Sequence, residues 1–242
     1  MGLVVRENLV TVDHQVKHHL VSTVEGNPKV SSTDCGLRVT SIFTRLKASA
    51  KARRGRLQIG DNCPMLYALK AKDGLITNHS SIRLLTASGR EILGLISQDV
   101  AADTVVYMPS GYNLSRIIAK RCAKAFDAQL LEGVFRKTTK LEAYEMLSIA
   151  DRNGDISPPD KQSLLFRMKK SAGFSLKDIP VSFRQFFVPL HLAAGFEGVV
   201  KGRVVLVDDL LASGQTLSVA AALIRGMPGV TSVEAVCLFS NV

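Results

Sequence analysis

The chain has 242 residues, of which 46% are hydrophobic and 21% are charged, a mixture that excludes a mostly disordered protein. Lysine and arginine exceed aspartate and glutamate to give a net charge of +10, which indicates an anionic partner. No apolar run approaches the ~20 residues that a membrane span needs, and the four cysteines form no CxxC pair. We therefore expect a cytoplasmic protein with reduced thiols and no membrane association.

The positive charge is concentrated in the segment Arg45–Arg56, which holds six basic residues and no acidic one. A solvated surface and a patch for nucleic acid or phosphate are both open interpretations of this cluster. No aromatic residue lies between the basic ones, which weakens the case for base stacking. The basic residues are Arg45, Lys47, Lys51, Arg53, Arg54 and Arg56.

Further along the chain, two apolar stretches flank Ala87-Ser88-Gly89-Arg90, which predicts a β-hairpin over residues 81–96. From about residue 100, short apolar strands alternate with helical patterns, and residues 138–187 indicate helices and loops. This alternation predicts an α/β domain with a parallel sheet. The predicted elements are a strand over Thr104–Met108, a helix over Leu114–Ala125, strands over Gln129–Phe135 and Arg203–Val207, a helix over Leu217–Arg225 and a strand over Val230–Phe239.

The most informative segment begins with the apolar strand Val204–Val207, which delivers Asp208 and Asp209 to its carboxyl end. A loop of small residues follows and opens into a helix, so that backbone N–H groups and the helix dipole favour an anion there. In open α/β sheets, ligands bind at this edge. Two carboxylates beside a phosphate cradle suit a sugar phosphate, because the acids accept hydrogen bonds from sugar hydroxyls.

Three segments carry a resemblance to the type I phosphoribosyltransferases. Residues 208–216, Asp-Asp-Leu-Leu-Ala-Ser-Gly-Gln-Thr, resemble the family's phosphoribosyl-pyrophosphate signature, most closely in its adenine and xanthine branches. Residues 135–140, Phe-Arg-Lys-Thr-Thr-Lys, resemble the segment that opens the catalytic loop, and residues 109–113, Pro-Ser-Gly-Tyr-Asn, resemble the pyrophosphate loop. The order of the segments matches the family, and the arrangement is also similar to ComF-like members.

This resemblance implies a central parallel sheet flanked by helices, with a phosphoribosyltransferase-like core over residues 100–242 and a mobile loop and insertion at about 138–187. Residues 1–99 match no family and are expected to form an α+β extension or hood. The implied enzyme is a pentosyltransferase of nucleotide metabolism, such as purine salvage. It transfers ribose 5-phosphate from phosphoribosyl pyrophosphate to a nucleobase-like acceptor and releases pyrophosphate. Mg²⁺ is the implied cofactor, and a homodimer is expected.

The resemblance also assigns roles to residues. Asp208 and Asp209 would bind the ribose hydroxyls and, indirectly, Mg²⁺. Lys137 and Lys140 would act with them in catalysis. The remaining ligand-binding residues would be Arg136 with Ser110, Gly111 and Tyr112 for pyrophosphate, and Ala212, Ser213, Gly214, Gln215 and Thr216 for the 5′-phosphate.

Two questions stay open at the level of sequence. The acceptor is not revealed, and Glu142 and Glu145 are candidates for its general base or are ordinary solvated helix residues. The alternative to an enzyme is a regulatory or nucleic-acid-binding protein that keeps the phosphoribosyl-pyrophosphate pocket, since fold alone does not decide function. The Arg45–Arg56 cluster favours that alternative.

Overall fold

The computed structural model describes residues 2–16, 24–44, 63–211 and 213–240. The strands are β1 (Gly2–Arg6), β2 (Leu9–Asp13), β3 (Lys29–Ser32), β4 (Arg38–Thr44), β5 (Ile76–Thr77), β6 (Thr104–Tyr107), β7 (Gln129–Leu131), β8 (Phe135–Lys137), β9 (Leu190–Leu192), β10 (Gly202–Leu211) and β11 (Val230–Ser240). The helices are α1 (Pro64–Leu69), α2 (His79–Asp99), α3 (Leu114–Phe126), α4 (Lys140–Arg152), α5 (Pro158–Lys170) and α6 (Gln215–Arg225), with 3₁₀ turns at Leu176–Asp178 and Val181–Phe186. None of these helices combines the length and apolar character that a bilayer crossing requires.

Six strands form the main sheet, in the order β3-β4-β11-β10-β6-β7. All neighbours run parallel except β3, which pairs antiparallel with β4 at one edge. The four residues Val204–Val207 of the central strand β10 are each at most 1% exposed, as expected for a strand covered on both faces. The α/β prediction is therefore confirmed as a mixed sheet flanked by helices.

The chain leaves the two adjacent strands β10 and β6 in opposite directions across the sheet. From β10 it passes through α6 to β11, and from β6 it passes through α3 to β7 on the other side. Since such crossovers are right-handed, α6 and α3 cover opposite faces of the sheet. The carboxyl ends of β10 and β6 thus flank a topological switch point, which is where open α/β sheets form their ligand crevice.

Residues from both sides of position 100 build this part of the protein. The first compact unit comprises residues 1–132 and 198–242, and the second comprises residues 133–197. Strand β4 comes from the first hundred residues, yet it lies in the main sheet beside β11. The compact units therefore do not divide at residue 100.

A smaller three-stranded sheet, in the order β1-β2-β5, also belongs to the first unit. Helix α1 contacts β2 and β5 and starts with a proline in its first turn, where the missing N–H costs nothing. Its Met65 and Leu66 are at most 1% exposed in the hydrophobic core. This anchoring fixes the position of Lys70, the residue that follows the helix.

The second unit has a hydrophobic core of its own, in which α4 and α5 bury Leu147, Leu164 and Met168. Strands β8 and β9 pair antiparallel at its two chain ends. The segment after Lys140, which the family resemblance assigns to a loop, begins here with helix α4. A capping box between Thr139 and Glu142 fixes the first turn of α4.

Two sequence-based predictions of secondary structure are wrong. Residues 81–96 form no hairpin but lie within α2, whose buried residues, Leu85, Ile92 and Ile96 among them, recur at helical spacing. Asn78 starts this helix by accepting a hydrogen bond from the Ser81 N–H. The single strand predicted over residues 129–135 is divided into β7 and β8, because Gly133 adopts a φ of +72° between them.

Candidate functional site

The loops that follow β6 and β10 bring together two of the three segments that resemble the family. Strands β6 and β10 pair in register from Val204 opposite Thr104 to Val207 opposite Tyr107. The Met108 N–H donates to the Val207 carbonyl at 2.9 Å and extends the ladder by one bond. Residues 109–113 therefore begin beside Asp208 and Asp209, which lie in the last part of β10, and residues 213–216 follow that strand at the switch point.

Asp209 is the most buried carboxylate of the site, with an exposed fraction of only 6%. Its Oδ2 lies 2.6 Å from the Lys70 Nζ and 3.4 Å from the Ser115 Oγ, which donates to it. Its N–H donates to the Asp208 Oδ1 at 2.8 Å, and Asp208 itself is half-buried. The two acids thus differ in burial, and the ammonium of Lys70 lies directly against the second of them.

Lys70 is the site residue that the sequence analysis missed. Its ammonium lies 5.5 Å from the centroid of the Tyr112 ring as well as against Asp209. Its side chain is 15% exposed. A lone lysine after a short apolar helix carries no local signal of this role, because its partners come from distant parts of the chain.

The predicted pyrophosphate loop leads directly into α3. The Ser110 Oγ accepts a hydrogen bond from the Tyr112 N–H at 3.2 Å, which fixes the turn before the helix. Ser110, Gly111 and Tyr112 are all exposed. The loop therefore offers polar groups and an aromatic ring at the surface of the crevice.

The predicted 5′-phosphate loop ends at the start of α6. Gly214 is buried with a φ of +73°, and α6 begins at the next residue, Gln215. Ser213 is exposed and Thr216 is half-buried, so a backbone N–H cradle with nearby hydroxyls is present at a helix N-terminus. Ala212, also predicted for this loop, lies outside the described residues.

The third predicted segment lies in the second compact unit, and two of its three cations have partners there. The Arg136 guanidinium makes two hydrogen bonds to Glu142, at 2.9 and 2.6 Å. The Lys140 Nζ donates to the Ser171 carbonyl at 2.6 Å. Within the described residues, the exposed Lys137 makes no ion pair.

The Arg136 contact also sets the ionisation of Glu142. The guanidinium, together with the Thr139 N–H and hydroxyl, lowers the pKa of this carboxyl to about 2. The carboxylate therefore stays charged at neutral pH, and it is a poor proton acceptor there. Glu142 is thus disfavoured as the general base in this arrangement, while Glu145 is exposed.

The four thiols differ sharply in their surroundings. Burial and then the charges of Asp208 and Asp209 raise the pKa of Cys237, and burial raises the pKa of Cys122 to about 12. Cys35 is exposed, and hydrogen bonds from Ser218 and then Thr33 lower its pKa.

We expect iodoacetamide to alkylate Cys35 first in the native protein, because only a thiolate reacts and Cys35 alone combines exposure with a lowered pKa. Peptide mass spectrometry after limited labelling measures the order, and Cys35→Ser is the control that removes the fast site. All four cysteines should react in urea. Native labelling of Cys122 as fast as that of Cys35 would contradict the burial described here.

Two other predictions concern the basic cluster and a metal ion. The cluster Arg45–Arg56 lies outside the described residues, so its role stays a prediction. Among the described residues, no group of three or more histidine, cysteine, aspartate or glutamate side chains is placed to hold a metal ion.

Comparison with known proteins does not assign the chain to a family. No protein-family model matches it, and no curated protein is significantly similar to it. The assignment of a function therefore depends on the geometry of the chain's own residues.

Proposed function

We propose that the protein binds phosphoribosyl pyrophosphate at the switch point between β6 and β10 and transfers its ribose 5-phosphate to a nucleobase-like acceptor. The observation that carries the proposal is the position of Asp208 and Asp209. They stand at the carboxyl end of β10, one loop before the N-terminus of α6 and beside the loop that leads into α3. Acids for a sugar and an amide cradle for a phosphate are thus a few residues apart, as a sugar phosphate requires.

In this reaction the acceptor nitrogen forms a bond to C1 of the ribose while the bond from C1 to the diphosphate oxygen breaks, and pyrophosphate leaves with that electron pair. The transition state is expected to resemble an oxocarbenium ion. Asp208 and Asp209 accept hydrogen bonds from the ribose hydroxyls and stabilise the developing positive charge. Residues 213–216 hold the 5′-phosphate, and residues 110–112 contact the diphosphate. Positioning of the two substrates supplies most of the acceleration.

The donor chemistry of the site fits Mg²⁺, which prefers oxygen ligands and keeps water and substrate phosphates in its shell. The carboxylates of Asp208 and Asp209 would be the protein oxygens that hold it. When bound, the ion would neutralise charge on the diphosphate and so favour its departure.

A second candidate is a phosphoribosyl-pyrophosphate-sensing regulator without catalysis. The contacts of Arg136 and Lys140 favour it, because two of the three cations in the segment expected to act on the diphosphate already have partners in the second unit. A sensor needs only the loops that follow β6 and β10 in the first unit, without a contribution from these cations. Binding of nucleic acid through Arg45–Arg56 belongs to this candidate.

Calorimetric titration with phosphoribosyl pyrophosphate and Mg²⁺ tests the pocket, and pyrophosphate release with a panel of nucleobases tests the chemistry. We expect Asp208→Asn to weaken binding at least tenfold, because a neutral amide accepts weaker hydrogen bonds than a carboxylate. The exposed Asp99 at the end of α2 gives the matched control, since Asp99→Asn removes the same charge far from the loops and should bind like the wild type.

The outcomes separate the two candidates. Release of pyrophosphate with any base supports the transferase, and binding without release for every base supports the regulator. A wild-type protein that binds no phosphoribosyl pyrophosphate at millimolar concentration overturns both.

A further inference from the structure

The ammonium of Lys70 lies between the last part of β10 and the loop that follows β6. It contacts Asp209, the second acid in that part of β10, at 2.6 Å. It also lies 5.5 Å from the ring centroid of Tyr112, in the loop after β6. The residue that follows α1 thus supplies a cation to this edge of the sheet.

Burial of this ion pair is unfavourable for the free energy of folding. Both side chains are largely buried, at 15% and 8% exposure, and removing two charges from water costs several kcal/mol for each ion. An apolar pair of similar size would often stabilise a protein equally well or better. The placement of a buried ion pair at the ligand edge of the sheet therefore points to a role beyond stability.

We propose that Lys70 is a ligand-binding residue that exchanges Asp209 for the diphosphate of the bound ligand. This inference rests on the proposed function. In the described arrangement, Lys70 neutralises Asp209. When ribose hydroxyls donate hydrogen bonds to Asp209, they replace the hydrogen bond from the ammonium, and Ser115 remains as a second donor to the carboxylate. The ammonium then turns toward the loop that carries Tyr112.

The chemistry of the lysine side chain suits this exchange. Its ammonium sits on a flexible four-carbon stem and has three hydrogen atoms to donate, so that it acts as a point charge that can follow a phosphate oxygen. The cation already lies near the face of an exposed aromatic ring, from which it can leave at modest cost. The diphosphate carries more negative charge than a single carboxylate and is the stronger partner.

Only ligands that carry a diphosphate are expected to need Lys70 for binding. Phosphoribosyl pyrophosphate and inorganic pyrophosphate both present a diphosphate, whereas ribose 5-phosphate presents only the sugar and the 5′-phosphate. Calorimetry with these three ligands should show that Lys70→Met weakens the binding of the two diphosphates by about ten- to a hundredfold, the range of a charge-assisted hydrogen bond. The binding of ribose 5-phosphate should change less than threefold.

The neighbouring Lys72 supplies a matched control. Its ammonium lies over the ring of Tyr67, at 5.1 Å from the centroid. Lys72→Met therefore removes the same charge from the same turn and should leave all three affinities unchanged. Lys70→Arg keeps the positive charge and should restore most of the diphosphate affinity. If Lys70→Met does not fold, Lys70→Gln, which retains a donor for Asp209, replaces it in the same titrations.

An equal loss of affinity for ribose 5-phosphate and for the diphosphates would overturn the exchange, because it would show that Lys70 acts only by positioning Asp209. Unchanged diphosphate affinity in Lys70→Met would overturn it as well. A wild-type protein that binds none of the three ligands would instead refute the proposed function, so the two failures are distinguishable.

Discussion

Lys70→Met is expected to lower the free energy of unfolding by about 3 kcal/mol, the lower end of the cost of breaking a buried ion pair. The carboxyl group of Asp209, only 6% exposed, would then lose the cation that lies 2.6 Å away. Ser115 would remain as a donor, but at 3.4 Å it is a weak substitute. Urea unfolding at neutral pH, followed by circular dichroism, measures the loss.

A double variant shows whether the ion pair is the cause. Lys70→Met combined with Asp209→Asn leaves no buried charge without a partner, so it should be more stable than the sum of the two single losses predicts. Lys72→Met should cost less than about 1 kcal/mol, because it removes only an exposed cation–π contact. Strictly additive losses would show that Lys70 and Asp209 do not stabilise each other.

Gly214→Ala is expected to cost about 2 kcal/mol of stability and to weaken binding of the 5′-phosphate. The φ of +73° strains any residue that has a Cβ, at roughly 1–2 kcal/mol. The added methyl group would also stand 2.9 Å from the Thr33 Cγ2, so either the turn before β4 or the start of α6 must shift. Urea unfolding and titration with ribose 5-phosphate measure the two effects.

Two variants separate the effect of the contact with Thr33 from the effect of the backbone strain at residue 214. Thr33→Ser removes the Cγ2 methyl group but keeps the hydroxyl that accepts the Leu37 N–H at 3.2 Å, so it should recover part of the stability lost in Gly214→Ala. Gly111→Ala is the control, because a Cβ there meets nothing within 4 Å and its φ is not left-handed. It should change stability by less than about 0.5 kcal/mol. A Gly214→Ala protein as stable as the wild type would contradict the described loop.

The central part of the fold was predictable because its signals are local. The uninterrupted apolar run Val204–Val207 indicates a strand buried on both faces, and the small-residue loop before α6 indicates a helix start. The hairpin prediction over residues 81–96 failed because Ala87-Ser88-Gly89-Arg90 has the composition of a turn. The helical spacing of Leu85 and Ile92 indicates a helix instead, but this pattern outweighs the turn composition only when the strands that the helix covers are known.

The site was predictable to a smaller extent. The sequence places Asp208 and Asp209 after a strand, but it cannot show that Lys70 neutralises one of them, because that contact joins distant segments. It also assigns Arg136 to a ligand, whereas the guanidinium binds Glu142, the acidic residue of the capping box. The roles of these residues toward a ligand stay predictions.

The position of β4 has a consequence for how the protein is made. Its parallel partner is β11, so residues 38–44 pair with residues near 240. The hydrophobic residues Val39, Ile42 and Phe43 therefore leave the ribosome long before β11, the parallel neighbour of β4, has been made. Strand β3 is made earlier and can pair with β4 as soon as both have emerged. Pairings of such sequence separation form slowly. The nascent chain therefore carries the β3–β4 hairpin without its parallel partner strand until residues 235–240 have been made.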